Sequence, residues 1–118
     1  MMNKRERNIH LTKQDKASLE STRNLLSNNP GQRMTIVQLA NQTGMNRSKL
    51  TAGFKQLTGK SVHRFILDVR MNYAKKLLSE KELPIKTIAG LCSYSNIQSF
   101  TKVFKKYWQE TPSAFQRR

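Results

Sequence analysis

The sequence has few acidic residues, a single cysteine and no long apolar run. Only 7 of its 118 residues are Asp or Glu, and they are scattered without the clear carboxylate pair on which glycosidases depend. Cys92 stands alone, so no intramolecular disulfide can form, and with two histidines in the chain we expect neither a zinc cluster nor a catalytic thiol. These shortages argue against an enzyme, and no metal or cofactor is predicted.

The sequence also lacks segments that would direct it to a membrane. The N-terminus, M-M-N-K-R-E-R, has no apolar stretch of the kind found in signal peptides. No apolar run elsewhere approaches the about 20 residues that span a bilayer. We therefore expect a cytoplasmic protein with no membrane partner.

Basic residues dominate the charged positions. The chain has 22 Lys and Arg residues and a formal net charge of +15, and no acid interrupts residues 21–67 or 83–109. A polyanion is the natural partner of such a chain. Charge alone does not distinguish DNA from RNA or anionic lipid, and a solvated basic surface without a ligand would have the same composition.

Cap and turn signals predict a first helix-turn-helix subdomain, residues 11–60, preceded by a flexible basic arm, residues 1–10. Short polar side chains at helix starts and glycines at helix ends mark three helices. A glycine can also adopt the left-handed conformation that a sharp turn between two helices requires. The predicted caps and helix ends are Thr12, Thr35, Gly44, Asn46 and Gly59.

The longest predicted helix, residues 61–80, begins at Ser61 and is apolar on more than one side. A helix with two apolar sides is expected to pack between two other bodies. About 19 residues at roughly 1.5 Å each give a length of about 28 Å. This helix is therefore predicted to link two subdomains.

The pattern of the first subdomain repeats in residues 81–118. Residues 35–40 align with residues 84–89, and Phe54 aligns with Phe104 once one residue is inserted at the turn. Pro112 is placed to begin a short closing helix. The sequence thus predicts an all-α fold of about seven helices, with two helix-turn-helix subdomains joined by a long central helix.

Each subdomain has one helix whose outward side carries small polar and basic residues. Such a side can approach base edges in the DNA major groove, and successive major-groove faces lie about 34 Å apart on one side of the duplex. A central helix of about 28 Å suits two helices that read adjacent faces. Lysine and arginine side chains at the margins are predicted to contact phosphates: Arg47, Lys49, Lys55, Lys105 and Lys106.

The chain from about residue 11 onward resembles the DNA-binding domain of the AraC/XylS family. The motifs that carry this resemblance are I-V-Q-L-A-N-Q-T-G at 36–44, K-L-T-A-G-F-K at 49–55, R-M-N-Y-A-K-K-L-L at 70–78 and F-K-K-Y-W-Q-E-T-P-S-A-F at 104–115. The resemblance implies a bacterial transcription regulator, usually an activator that contacts RNA polymerase. By the family's pattern the base-reading positions are Ser48, Thr51, Ala52, Gln98, Ser99, Thr101 and Lys102.

Two positions depart from the family's pattern. Ser93 stands at the second turn and Gln109 follows the last reading helix, where the family usually has glycine. Both positions are predicted to need a positive φ, which costs a non-glycine residue on the order of 1 kcal/mol. The second subdomain is therefore expected to be locally strained or differently turned.

Two other functions compete with transcription regulation. An RNA-binding role would explain the charge but not the repeat, and it needs exposed aromatics, whereas only Trp108 lies off the core stripes and is expected to pack against the closing helix. An architectural or recombination-accessory protein would also bind DNA. We expect a monomer on double-stranded DNA in the nucleoid, and both a stand-alone protein and a domain of a longer chain remain open.

Overall fold

The computed structural model describes residues 8–118, and these residues form seven helices and no strand. The predicted all-α fold is confirmed. Residues 1–7 of the predicted arm lie outside the described residues. The helices are α1 (Lys13–Asn28), α2 (Ile36–Thr43), α3 (Arg47–Thr58), α4 (Val62–Glu80), α5 (Ile85–Leu91), α6 (Ile97–Trp108) and α7 (Pro112–Gln116).

Contacts divide the chain into two compact units. Unit 1 contains the residues up to Asn29 together with Met34–Ile66, and unit 2 contains Pro30–Arg33 together with Leu67–Arg118. The boundary between them falls inside α4, whose first turn belongs to unit 1 and whose remainder belongs to unit 2.

The helices of unit 1 begin and end at the predicted caps. The Thr12 and Thr35 side chains each accept a hydrogen bond from the backbone N–H three residues later, and the Asp15 and Gln38 side chains return one, which completes a capping box at both helices. Asn46 caps α3. Because these interactions are local, the sequence was sufficient to predict them.

The apolar side of α3 packs into the core of unit 1. Leu19, Leu39, Leu50 and Phe54 are fully buried, and the Phe54 ring meets the Phe65 ring edge-on at 5.3 Å. At Gly53 a β-carbon would lie 3.0 Å from a methyl carbon of Leu19, so the glycine lets α1 approach α3 closely. This packing turns the polar side of α3 outward.

Ile9 joins the extended residues before α1 to unit 1. Its backbone N–H donates to the Gln56 side-chain oxygen at 2.8 Å, and its carbonyl accepts from the Gln56 nitrogen at 3.1 Å. The predicted arm ended at residue 10, so its last part is tied to α3 by two hydrogen bonds.

The core of unit 2 forms around the later turns of α4. Met71, Leu78, Ile88, Phe100 and Phe104 are fully buried. Periodicity gives no separate signal for Met71, because the long helix is apolar on more than one side, yet its side chain is wholly enclosed.

The predicted repeat is visible in the helix ends. Thr35 and Pro84 occupy equivalent caps 49 positions apart, and Asn46 and Asn96 occupy equivalent caps 50 positions apart. The extra residue lies in the turn between α5 and α6. It delays α6 by one residue relative to the repeat, so that α6 begins at Ile97, 50 positions after the start of α3 at Arg47.

Candidate nucleic-acid interface

The outward side of α3 is polar and basic. The structure places Ser48, Thr51 and Ala52 on the exposed side of the helix, opposite the buried Leu50 and Phe54. Arg47 and Lys55, which were predicted to contact phosphates, are exposed as well. The three predicted base-reading residues of unit 1 therefore share one accessible face, which we call the α3 face (Arg47, Ser48, Thr51, Ala52 and Lys55).

Thr51 presents its methyl group more readily than its hydroxyl proton. The Thr51 hydroxyl donates to the carbonyl oxygens of Arg47 at 2.9 Å and Ser48 at 3.2 Å, within the same helix. A hydroxyl bound in this way does not offer its proton to a base. The Thr51 oxygen can still accept a hydrogen bond from a base amino group, and its methyl group can contact a thymine methyl.

Lys49 lies at the edge of the α3 face and is held by an acid. Its Nζ is 2.7 Å from Asp15 Oδ2, and its side chain is 37% exposed. The hydrogen bond from Lys49, followed by that from the Thr12 backbone N–H, lowers the pKa of Asp15 below its usual 3.8. Lys49 must therefore leave or share its Asp15 partner to contact a phosphate.

The outward side of α6 is longer and more basic. Gln98, Ser99 and Lys102 are exposed and Thr101 is partly exposed, so the four predicted base-reading residues of unit 2 lie on the accessible part of the helix. Lys102, Lys105, Lys106 and Gln109 line one shallow depression at its C-terminal half. We call this surface the α6 face (Gln98, Ser99, Thr101, Lys102, Lys105 and Lys106).

An aromatic cluster packs around the buried side of α6. The Phe100 ring lies 5.5 Å from Tyr94 and 5.7 Å from Phe104, and Phe104 lies 6.2 Å from Phe115 of α7. Neighbouring aromatic rings at these distances pack favourably and fix each other's orientation. The α6 face is therefore carried by a helix whose rotation about its axis is well defined.

Trp108 is bound to α4. Its Nε1 donates to the Met71 carbonyl at 3.1 Å, and the Lys75 ammonium sits 4.1 Å from its ring centroid. The neighbouring Tyr107 hydroxyl donates to Asp68 Oδ1 at 2.7 Å. Both aromatics at the end of α6 are thus engaged within unit 2.

The two non-glycine turn residues adopt the predicted conformation. Ser93 has φ 68° and Gln109 has φ 66°, close to the 72° and 81° of Gly44 and Gly59 at the equivalent turns of unit 1. Unit 2 therefore keeps the positive φ of unit 1 at both turns, with residues for which this conformation is unfavourable.

The charges of the α6 face are not neutralised within the described part of the chain. Among residues 8–118 no acidic side chain pairs with Lys102, Lys105 or Lys106. Over the same residues no group of His, Cys, Asp and Glu side chains could hold a metal ion, and no helix is long and apolar enough to cross a membrane. The arrangement suits an anionic surface.

One residue of the α6 surface was missed from the sequence. Ile97 is the first residue of α6 and is 38% exposed, beside Gln98. The repeat aligns it with Arg47, so the alignment marked its position, but an isoleucine gave no polar signal.

Comparisons with known proteins agree with this geometry. The family described as "Helix-turn-helix domain" matches residues 39–118. The chain is 35% identical over 83 residues to the xylose operon regulatory protein of Haemophilus influenzae, which covers 70% of this chain and 21% of that protein. Its fold is similar to the C-terminal domain of AraT, a response regulator from Geobacillus stearothermophilus, with a TM-score of 0.80, 25% identity and coverage of 92% and 88%.

A second similar structure contains DNA. The DNA-binding domain of AdpA, a global transcriptional factor solved with a target DNA, has the same fold, with a TM-score of 0.79, 19% identity and coverage of 85% of this chain and 90% of that one. The chain spans only 20–37% of the length of the first curated relatives that it matches.

Proposed function

Because this chain belongs to the AraC-type family of helix-turn-helix proteins, we propose that it is a transcription regulator, or the DNA-binding part of one, that recognises a specific duplex sequence. The observation that carries the proposal is the pair of exposed faces of small polar and basic residues on α3 and α6, each on a capped helix that follows a turn from the preceding helix. The DNA in the AdpA structure supports a duplex as the partner.

Base recognition is assigned chiefly to α6. Gln98 has the amide geometry that pairs with adenine, and Lys102 can donate to guanine O6 or N7. Thr51, Ala52 and Ile97 offer apolar contact to thymine methyls. Ser48, Ser99 and Thr101 are accessible to bases of either kind. We expect α6 to specify its half of the site more strongly than α3, because its face carries longer polar side chains.

Phosphate contacts are assigned to the lysines and the arginine at the margins of the two faces. Arg47, Lys55, Lys105 and Lys106 can neutralise phosphates and set the register of each helix in its groove. Lys49 is proposed to join them by exchanging its Asp15 partner for a phosphate.

The protein is proposed to act as a monomer on DNA, with α3 and α6 in successive major grooves of the chromosome within the nucleoid. A chain that carries two reading helices does not require a two-fold symmetric site. Activation through RNA polymerase is the proposed outcome, since regulators of operons are among the relatives.

In-vitro selection from random duplexes, followed by footprinting, tests this function. We expect one motif, with protection over two successive major-groove segments on one side of the duplex. Recovery of no motif, or protection of one segment only, would contradict recognition by two units. In the same selection Lys102→Ala should relax preference in one half of the site, whereas Lys76→Ala, which removes an exposed lysine of α4, should leave the motif unchanged.

Binding of DNA in an architectural or recombination role would give the same footprint. Mapping of bound sites across the genome separates the two, because a regulator is expected near promoters and a recombination accessory at the ends of mobile elements.

A further inference from the structure

The segment Pro30–Arg33 connects α1 to α2 in the sequence but belongs to unit 2 by its contacts. From the sequence, Pro30 and Gly31 indicate only that the first helix has ended. In the structure it lies against the turn between α5 and α6, which sets the start of the helix that carries the α6 face.

Two hydrogen bonds fasten this segment to Ser93. The Ser93 hydroxyl donates to the Gly31 carbonyl oxygen, and the Arg33 guanidinium donates to the Ser93 carbonyl oxygen at 2.8 Å. Ser93 is also the residue that adopts the left-handed conformation at this turn. A glycine there would relax the backbone but would lose the hydroxyl that reaches Gly31.

Gly31 fits its place only because it has no side chain. A β-carbon on Gly31 would come closer to the Leu91 carbonyl oxygen than the 3.0 Å that real β-carbons keep, and it would lie 3.7 Å from Cε2 of Tyr73. The obstructing atom is backbone, which cannot rotate away. By contrast Gly44, which lies in the turn between α2 and α3, has nothing within 4 Å of its β-position.

We propose that Pro30–Arg33 is a strap that positions α6 for base recognition, with Ser93 as the positioning residue through which it acts. The turn before α6 has five residues between its helices, where the turn before α3 has three, and it has no glycine, so its conformation is supported from outside by the strap. The proposal rests on the proposed function, since the consequence of the positioning is recognition of DNA by the α6 face.

Gly31→Ala tests the strap, with Gly90→Ala as the matched control. Gly90 lies in α5 of the same unit with nothing within 4 Å of its β-position, so this variant should bind within about twofold of the wild type. Gly31→Ala should weaken binding to the selected duplex about tenfold. It should also lose discrimination against duplexes scrambled in the half read by α6, while discrimination in the other half is retained.

Ser93→Gly provides a second variant that does not introduce a clash. Glycine relaxes the backbone of the turn. If Ser93 only shapes the turn, the variant should bind the selected duplex as tightly as the wild type, or more tightly. The strap predicts weaker discrimination in the α6 half, and it predicts that the effects of Gly31→Ala and Ser93→Gly do not add in the double variant. Unchanged discrimination by both single variants would overturn the proposal.

Hydrogen exchange separates a failure of the strap from a failure of DNA binding. The Tyr94 N–H donates to the Ala89 carbonyl at 2.9 Å within this turn, and the Leu50 N–H donates to the Asn46 carbonyl at 3.0 Å in unit 1. Gly31→Ala should speed exchange at Tyr94 about tenfold and leave Leu50 unchanged. If Tyr94 exchanges at the same rate in Gly31→Ala as in the wild type, the strap is overturned even if the protein binds DNA. If Tyr94 exchanges faster in the variant, the strap is supported even if the protein binds no duplex.

Discussion

Asp15 illustrates how one side chain serves both the fold and the edge of the α3 face. Its carboxylate accepts the Thr12 backbone N–H at 2.9 Å in the capping box of α1 and pairs with Lys49 of α3 at 2.7 Å. The ion pair joins the first turn of α1 to the first turn of α3. A negative charge at a helix N-terminus is also favoured by the helix dipole.

Replacement of Asp15 by Asn is expected to lower the melting temperature in a pH-dependent way. Because the folded state lowers the pKa of Asp15 below 3.8, its carboxylate stabilises the native protein at every pH above that value. This contribution is lost as the pH falls through the lowered pKa. The difference in melting temperature between wild type and Asp15→Asn should therefore be largest near neutral pH and disappear in acid.

Glu82→Gln is the control for this titration, since it removes an exposed carboxylate from unit 2. Its melting temperature should follow that of the wild type across the pH range. A wild-type advantage over Asp15→Asn that persists unchanged in acid would show that the charge of Asp15 is not the source of the stabilisation.

Cys92 is buried in the core of unit 2. Its side chain is fully enclosed, and burial raises the pKa of its thiol to about 11. A thiol held neutral in this way is a poor nucleophile. The residue contributes to the core of unit 2 and has no role in the α6 face.

At the scale of single helices, the two units end their reading helices at equivalent residues of different type. Gly59 follows α3 with φ 81°, and Gln109 follows α6 with φ 66°. The left-handed conformation costs a non-glycine residue about 1–2 kcal/mol, whereas glycine loses about 0.5–1 kcal/mol more backbone entropy on folding. The two effects oppose each other, and the conformational cost is the larger.

Exchanging the residues at these two helix ends is expected to change stability in opposite directions. Gln109→Gly should raise the free energy of unfolding by less than about 1 kcal/mol, because it also removes the hydrogen bond from the Gln109 side chain to the Lys106 carbonyl. Gly59→Gln should lower it by about 1 kcal/mol, since open space around Gly59 leaves backbone strain as the main effect. Urea unfolding of each variant measures both changes.

If both substitutions raise the free energy of unfolding, or both lower it, this account is contradicted. Gly90→Ala serves as the reference for a glycine in a helical conformation with open space around it, and it should stabilise by up to about 1 kcal/mol.

The elements that could be predicted from the sequence are those governed by local interactions. Thr12, Thr35 and Asn46 cap their helices through atoms three residues away, and the positive φ at Ser93 and Gln109 follows from the repeat. The contacts that could not be predicted from the sequence join segments far apart in the chain. The pair of Asp15 with Lys49 and the strap onto Ser93 join residues more than 30 positions apart, and no periodicity marks them.

At the scale of the whole molecule, the predicted DNA contacts and the net charge of +15 together determine how binding responds to salt. Each phosphate that a lysine or arginine neutralises releases a counterion from the duplex, so affinity falls as salt rises. Base contacts add discrimination without adding to this dependence. Salt titration therefore separates the phosphate contacts of both units from the base contacts.

The wild-type protein is expected to bind its selected duplex with about 6–10 phosphate contacts, which gives a slope of log affinity against log salt of about −5 to −9. Removing Lys105 and Lys106 together by alanine should reduce the magnitude of that slope by about 2 and weaken binding to all duplexes alike. Lys76→Ala should leave the slope unchanged. If the double variant keeps the wild-type slope but loses preference for particular bases, the two lysines contact base edges, and the phosphate contacts of unit 2 must lie elsewhere.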